Sequence, residues 1–238
     1  MPIDPSAAIP PDTPLSKLPG FDPTRVPVIG VDAHLPPVPP ERLAPPALRR
    51  RFAQPPEWQP ELRSEPRFTD RSLAPASVLV PVVMRERPML LLTERTVHLS
   101  THSGQVAFPG GKRDATDVDA TDTALREAQE EIGLERGLAE VIGELPTYLT
   151  GTMFVITPVV ALVRPDYELA LNAHEVADAF EVPLEFLMDP AHHRRHRIEF
   201  SGTSREWFSM PYLDGDRERF IWGATAGMLR NLYRFLAA

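Results

Sequence analysis

Short apolar runs separated by charged or proline-containing breaks dominate the chain after residue 74. Residues 76–84 and 89–93 are rich in valine and leucine and predict buried strands. Residues 142–149 and 155–163 predict two more, divided by a Thr150-Gly151-Thr152 turn, and residues 197–200, 206–210 and 219–222 predict a strand series. Helical spacing takes over in three places. Leu125, Ala128 and Ile132 recur at i, i+3 and i+7 in a helix predicted over residues 121–132, with Gly133 as its terminator. Pro183 opens a short helical segment around Phe186, since proline suits a first helical turn. Met228, Leu229, Leu232, Tyr233 and Leu236 give residues 224–236 an amphipathic helix that closes the domain. Strands and helices mix without regular βαβ alternation, which predicts an α/β fold with a mixed sheet between helices.

The pattern before residue 70 is different. Eighteen of the 28 prolines lie there. Proline removes backbone donors and favours extended chain, so residues 1–38 are expected to form a flexible or extended arm that buries little surface. Residues 40–53 read as a short helix broken at its prolines. The expected division is therefore a proline-rich, partly disordered arm over residues 1–70 and one domain over residues 71–238. A net charge of −8 lacks the basic footprint of a general nucleic-acid binder, and no run of eighteen apolar residues exists to span a membrane. With no cysteine, disulfides, thiolate metal sites and cysteine nucleophiles are excluded. The amino-terminal residues lack a basic-then-apolar signal pattern, so the cytoplasm is the expected compartment.

Candidate chemistry is concentrated in residues 108–134, FPGGKRDATDVDATDTALREAQEEIGL. The glycine pair Gly110-Gly111 is expected in a tight loop that lets backbone approach a ligand. In the helix that follows, Glu127, Glu130 and Glu131 stand at i, i+3 and i+4 and share one face. Three crowded carboxylates are costly unless a cation balances them, and Mg²⁺ prefers such oxygens while also holding phosphate. Arg126 is read as structural, pairing with Asp122 or Asp117. Upstream, Leu91-Leu92-Thr93-Glu94-Arg95 precedes His102-Ser103-Gly104-Gln105 and then Phe108. The basic run from His192 to Arg197 reads as a solvated loop.

The segment from Arg126 to Leu134 resembles the REUxEExGU half of the Nudix box, the signature of hydrolases that cleave nucleoside diphosphates linked to another moiety. Its glycine half, Gly110-Gly111-Lys112-Arg113-Asp114-Ala115-Thr116-Asp117, is similar to that of the coenzyme A diphosphatase branch, as is the upstream LLTER and HSGQVAFPGG run. Ser100 departs from that branch, where arginine is frequent; Arg95, His98 and Lys112 are the nearby basic residues able to compensate for it in contacting a phosphate. The resemblance implies the Nudix α/β/α sandwich and cleavage of coenzyme A or acyl-CoA to 4′-phosphopantetheine, or its acyl form, and adenosine 3′,5′-bisphosphate. It implies Mg²⁺ or Mn²⁺ on Glu127, Glu130 and Glu131, catalysis by Glu130 and Glu175, and substrate contacts from Arg95, His102, Gln105, Phe108, Gly110, Gly111 and Lys112. Two alternatives stay open: the same chemistry on ADP-ribose or dinucleotides, and a Nudix-fold binding module without turnover, which would have no need of the three glutamates.

Overall fold

The apolar runs form the strands of a mixed sheet in the computed structural model, which describes residues 21–67, 69, 71–96, 104–200 and 203–238. Along the chain the elements are β1 (Val28–Val31), α1 (Pro40–Leu43), α2 (Pro45–Ala53), β2 (Ala74–Val83), β3 (Met89–Arg95), β4 (Val106–Ala107), β5 (Gly110–Lys112) and α3 (Ala120–Ile132). Then follow β6 (Ala139–Glu144), β7 (Tyr148–Leu149), β8 (Phe154–Val163), β9 (Val176–Pro183), α4 (Leu184–Leu187), β10 (Arg194–Phe200), β11 (Thr203–Asp214), β12 (Arg217–Trp222) and α5 (Gly223–Ala237).

Strands β2 and β8 are the axis of the main sheet and pair in parallel from Ala74 opposite Phe154 to Val83 opposite Val163. Strands β3, β5, β6, β7 and β9 join antiparallel around them. Both faces of the axis are covered, which explains why its strands read as continuous apolar runs and not as alternation. Leu79, Val83, Val159, Ala161 and Val163 face α3, which meets them with Ala124, Ala128 and Ile132. Val80, Val82, Val160 and Leu162 face the opposite way, toward Met228, Leu229, Leu232 and Leu236 of α5. The helix–sheet–helix layering matches the expected mixed α/β fold. The buried stripe of α3 runs through Ala124 in place of the partly buried Leu125. Small residues there let the helix lie close to the sheet.

Four antiparallel strands in the order β1-β10-β11-β12 form a second sheet, and its Met210 and Ile221 join the α5 core. This sheet corrects the reading of residues 192–197. Residues of a strand alternate between faces, so His196 points inward from β10 and is 2% exposed; His193, just before the strand, is fully buried. The run is consecutive in sequence but not in environment.

The expected arm differs as well. Its residues 1–20 lie outside the described residues. Beyond them, β1 pairs with β10, and Val38, Leu43 and Leu48 are buried in the α5 core. Residue 70 therefore marks no physical boundary, because proline-rich chain here packs by its intervening apolar residues. The glycine pair is also not a loop: Gly110 and Gly111 are strand β5, opposite Val78 and Ser77.

Candidate functional site

A cavity of about 650 Å³ opens where β5, the α3 carboxylates, β7, β11 and the start of α5 meet. The first wall is set by α3. Asp119 caps the helix by accepting from the Asp122 amide at 2.8 Å, and Gly133 ends it in the left-handed conformation at φ 70°. A Cβ at Gly133 would also meet Ala170 at 2.8 Å. That contact belongs to the loop carrying Glu175, which is tied to α3 by the Asn172 amide donating to the Glu131 carbonyl at 2.9 Å.

Arg126 joins the preceding loop to the helix. Its Nε and Nη2 each donate to Asp117 at 2.9 Å, and Nη2 donates to the Lys112 carbonyl at 3.0 Å. Of the two expected partners Asp117 is taken, while Asp122 pairs with Arg136. The Arg126 guanidinium holds the Asp117 carboxyl well below the usual carboxylate range.

Strand β5 brings backbone against the carboxylates. A Cβ on Gly110 would fall 2.4 Å from the Ser77 carbonyl, which excludes a larger residue there, and one on Gly111 would fall 2.5 Å from the Glu127 carboxyl and displace it. The Gly110 amide donates to Glu131 at 3.1 Å, and Arg95 approaches the same carboxylate at 3.6 Å. Burial, with lesser repulsion from Glu127 and Glu175, pushes Glu131 up to about 7. Burial likewise raises Glu127, against the Arg126 ion pair at 2.9 Å. Arg95 Nε is buried with no hydrogen-bond partner among the described residues.

Arg95, Gln105, Phe108, Gly110, Gly111, Lys112, Glu127, Glu131 and Glu175 therefore line one cavity although they come from four stretches of chain. Glu130 does not. It sits on the rim with its side chain 57% exposed and paired to Arg126 at 2.9 Å, because its position on α3 turns it toward solvent. His102, with His98 and Ser100, lies outside the described residues. Among the described residues no three acidic or histidine side chains converge as a ready metal cage. The donor set nonetheless suits a hard cation. Glu127 and Glu131 offer carboxylate oxygens to the cavity, repel each other and Glu175, and leave coordination positions for phosphate, as Mg²⁺ prefers.

The second wall was not read from the sequence. It comprises Glu61, Leu62, Ser64 and Glu65 from the amino-terminal region, Tyr148, Ile156, Arg195, Trp207 and Phe208, and Ala224 and Met228 of α5. Leu62 is fixed through Asn231, whose Oδ1 accepts from the Leu62 amide at 3.0 Å and whose Nδ2 donates to its carbonyl at 2.6 Å. Beside it lies a buried ionic cluster. Arg230 is fully buried and contacts Asp32 and Glu61, both at 2.8 Å, and Glu61 also takes Arg195 and Arg234. Arg230 donates to His193 Nδ1 at 3.1 Å, which leaves His193 Nε2 to donate to the Leu187 carbonyl at 2.8 Å. Burial pushes this neutral imidazole down to about 4.

No helix among the described residues is long and apolar enough to cross a membrane. The NUDIX domain family model matches residues 73–209. The chain is 42% identical over 158 residues to the uncharacterized Nudix hydrolase NudL of Escherichia coli K12, a match covering 66% of this chain and 80% of that protein. Two solved structures are similar at low identity. The Caenorhabditis elegans Ap4A hydrolase binary complex shares 20% identity over 50% of this chain and 86% of that chain, with a TM-score of 0.41. The NUDIX domain of Shewanella oneidensis NrtR, complexed with ADP ribose, shares 19% over 48% and 75%, with a TM-score of 0.38. The chain belongs to the NUDIX family and is a Nudix hydrolase acting on a diphosphate.

Proposed function

We propose that the substrate is coenzyme A or an acyl-CoA, cleaved at its diphosphate to 4′-phosphopantetheine, or its acyl form, and adenosine 3′,5′-bisphosphate. The observation that supports this most is that Arg95, Gln105 and Phe108, from the run resembling the coenzyme A motif, line the same cavity as Glu127, Glu131 and Glu175. Glu127 and Glu131 would hold Mg²⁺ or Mn²⁺; Glu130 joins them only if its pair with Arg126 opens. Bound there, the metal supplies charge neutralisation for the diphosphate oxygens and an acidified water.

The chain's own groups do the rest. Arg95 and Lys112, which line the cavity, present cations to the phosphates. Strand β5 brings peptide backbone within reach of the substrate, since Gly110 and Gly111 carry no side chain. Glu175, which accepts from the Asn172 side-chain Nδ2 at 3.3 Å, takes the proton from the attacking water. Water oxygen bonds to one phosphorus as that phosphorus loses its bond to the bridging oxygen, which departs on the other phosphate. Incubating the protein with Mn²⁺ and separate diphosphates, then weighing the products, tests the reading. Masses of phosphopantetheine and adenosine 3′,5′-bisphosphate are expected from coenzyme A; intact coenzyme A alongside cleaved ADP-ribose would refute it.

A further inference from the structure

The two ends of the cavity differ in chemistry. Away from the α3 carboxylates, Leu62, Tyr148, Ile156 and Met228 form an apolar surface continuous with the α5 core, and Phe208 beside them carries the Arg195 and Arg230 guanidiniums over its ring. We propose that this surface is a subsite for an uncharged, apolar arm attached to the substrate's diphosphate, and that Leu62 is its specificity-determining residue. The proposal rests on the diphosphatase reading of the cavity and adds the nature of the group beyond the second phosphate.

Three observations carry it. First, the apolar space is held open by rigid parts. Leu62 has both its backbone groups bonded to Asn231. The Ser64 region is laid beside β7 by bonds from the Glu65 amide to the Leu149 carbonyl and from the Leu149 amide to the Arg63 carbonyl, at 2.8 and 2.9 Å. Tyr148 sits against α5 where a Cβ on Gly227 would lie 2.9 Å from its hydroxyl, so only glycine leaves room for the ring. An apolar space that could collapse would do so, because unfilled apolar volume is destabilising. Here the framework prevents it. Second, the carboxylates on this side are both engaged. Glu61 is bonded to Arg230 and Arg234, and Glu65 accepts from the Tyr148 hydroxyl at 3.3 Å and the Gly151 amide at 2.9 Å. Neither therefore needs a cation from the ligand. Third, Leu62 precedes and Met228 follows the 73–209 span of the family domain, so part of this wall is built by chain that the domain itself does not supply.

Probes without pantetheine separate this proposal from the coenzyme A reading. Adenosine 5′-diphosphate esterified with methyl, octyl or 7-carboxyheptyl groups would be compared on the full-length protein. The octyl ester is expected to have about tenfold or higher kcat/KM than the methyl ester, as methylenes leave water for an apolar wall. The carboxylate-ended ester should lose that gain. Leu62→Asp should bring the octyl-to-methyl ratio down toward one; Ile156→Thr, a milder change, should lower it if Leu62→Asp does not fold. Melting-temperature shifts with octyl diphosphate and methyl diphosphate read the same preference without turnover, and octyl diphosphate should give the larger shift. Equal or absent shifts, or a ratio that neither variant moves, overturn the subsite. A preserved octyl preference beside poor coenzyme A cleavage would overturn only the coenzyme A reading.

Discussion

The two walls of the cavity are built in opposite ways. The acidic wall comes mainly from one stretch, residues 108–134, in which strand β5 and helix α3 are adjacent in sequence and in space. The facing wall gathers Leu62, Tyr148, Phe208 and Met228 from four distant parts of the chain, held by a buried charge cluster and an asparagine clamp. One wall concentrates charge and strains the ionisation of its carboxylates. The other is mostly apolar and has its charges paired. Local chemistry sits where a motif can encode it, while the shape of the site is a product of long-range packing.

The comparison breaks most sharply at the carboxylates. Glu127→Gln and Glu131→Gln should each lower kcat about a thousandfold, because metal-held charge supplies several kcal/mol and each 1.36 kcal/mol is about tenfold. Glu130→Gln should cost less than about tenfold, as its side chain lies on the rim. Steady-state kinetics in saturating Mn²⁺ reads all three, and equal losses would place Glu130 inside the site.

At the other wall the effect should fall on stability. Arg230→Ala leaves Asp32 and Glu61 short of a buried partner and should cost about 3 kcal/mol in urea unfolding. Deleting residues 1–38 should destabilise in the same direction, since it removes β1, Asp32 and buried Val38; an unchanged melting temperature would restore the picture of a free arm.

Acidity sharpens the contrast further. Glu131 is raised in the folded state, so its stabilising contribution is fully present below about pH 4.5 and is lost as pH rises through about 7. His193 is lowered, so its contribution is present above about pH 6.5 and is lost as pH falls through about 4. In metal-free protein, Glu131→Gln should therefore stabilise by up to about 3 kcal/mol at pH 8 and by almost nothing near pH 4.5. Melting curves of both proteins across this range check the sign. Asn231→Ala should cost about 1–3 kcal/mol by leaving the Leu62 peptide groups unsatisfied, read by chemical denaturation.

How much the sequence disclosed follows from the same distinction. The α3 helix, its Gly133 terminator and the strands β2, β3 and β8 were legible because periodicity and capping are local properties. The carboxylate face was legible for the same reason, but not the fact that Glu130 turns away, which depends on how α3 is rotated against the sheet. Strand β5 was missed because two glycines carry no strand signal; its pairing with β2 is a long-range contact that no local pattern encodes. The proline-rich region hid β1 and the Leu62 wall, since proline content describes backbone preference and says nothing of the buried Val38, Leu43 and Leu48 between the prolines. His193 and His196 looked solvated in a basic run until strand alternation and Arg230 gave them an interior.

The central claim is that the cavity couples the acidic box to a coenzyme A substrate, and relative kcat/KM for coenzyme A, its form lacking the 3′-phosphate and ADP-ribose tests it most directly, at fixed ionic strength and Mn²⁺. Coenzyme A should be cleaved most efficiently, with the dephospho form reduced by about ten- to a hundredfold, as a charged contact contributes about 1.5–3 kcal/mol. ADP-ribose cleaved as well as or better than both would contradict the coenzyme A assignment and leave the Nudix hydrolase standing.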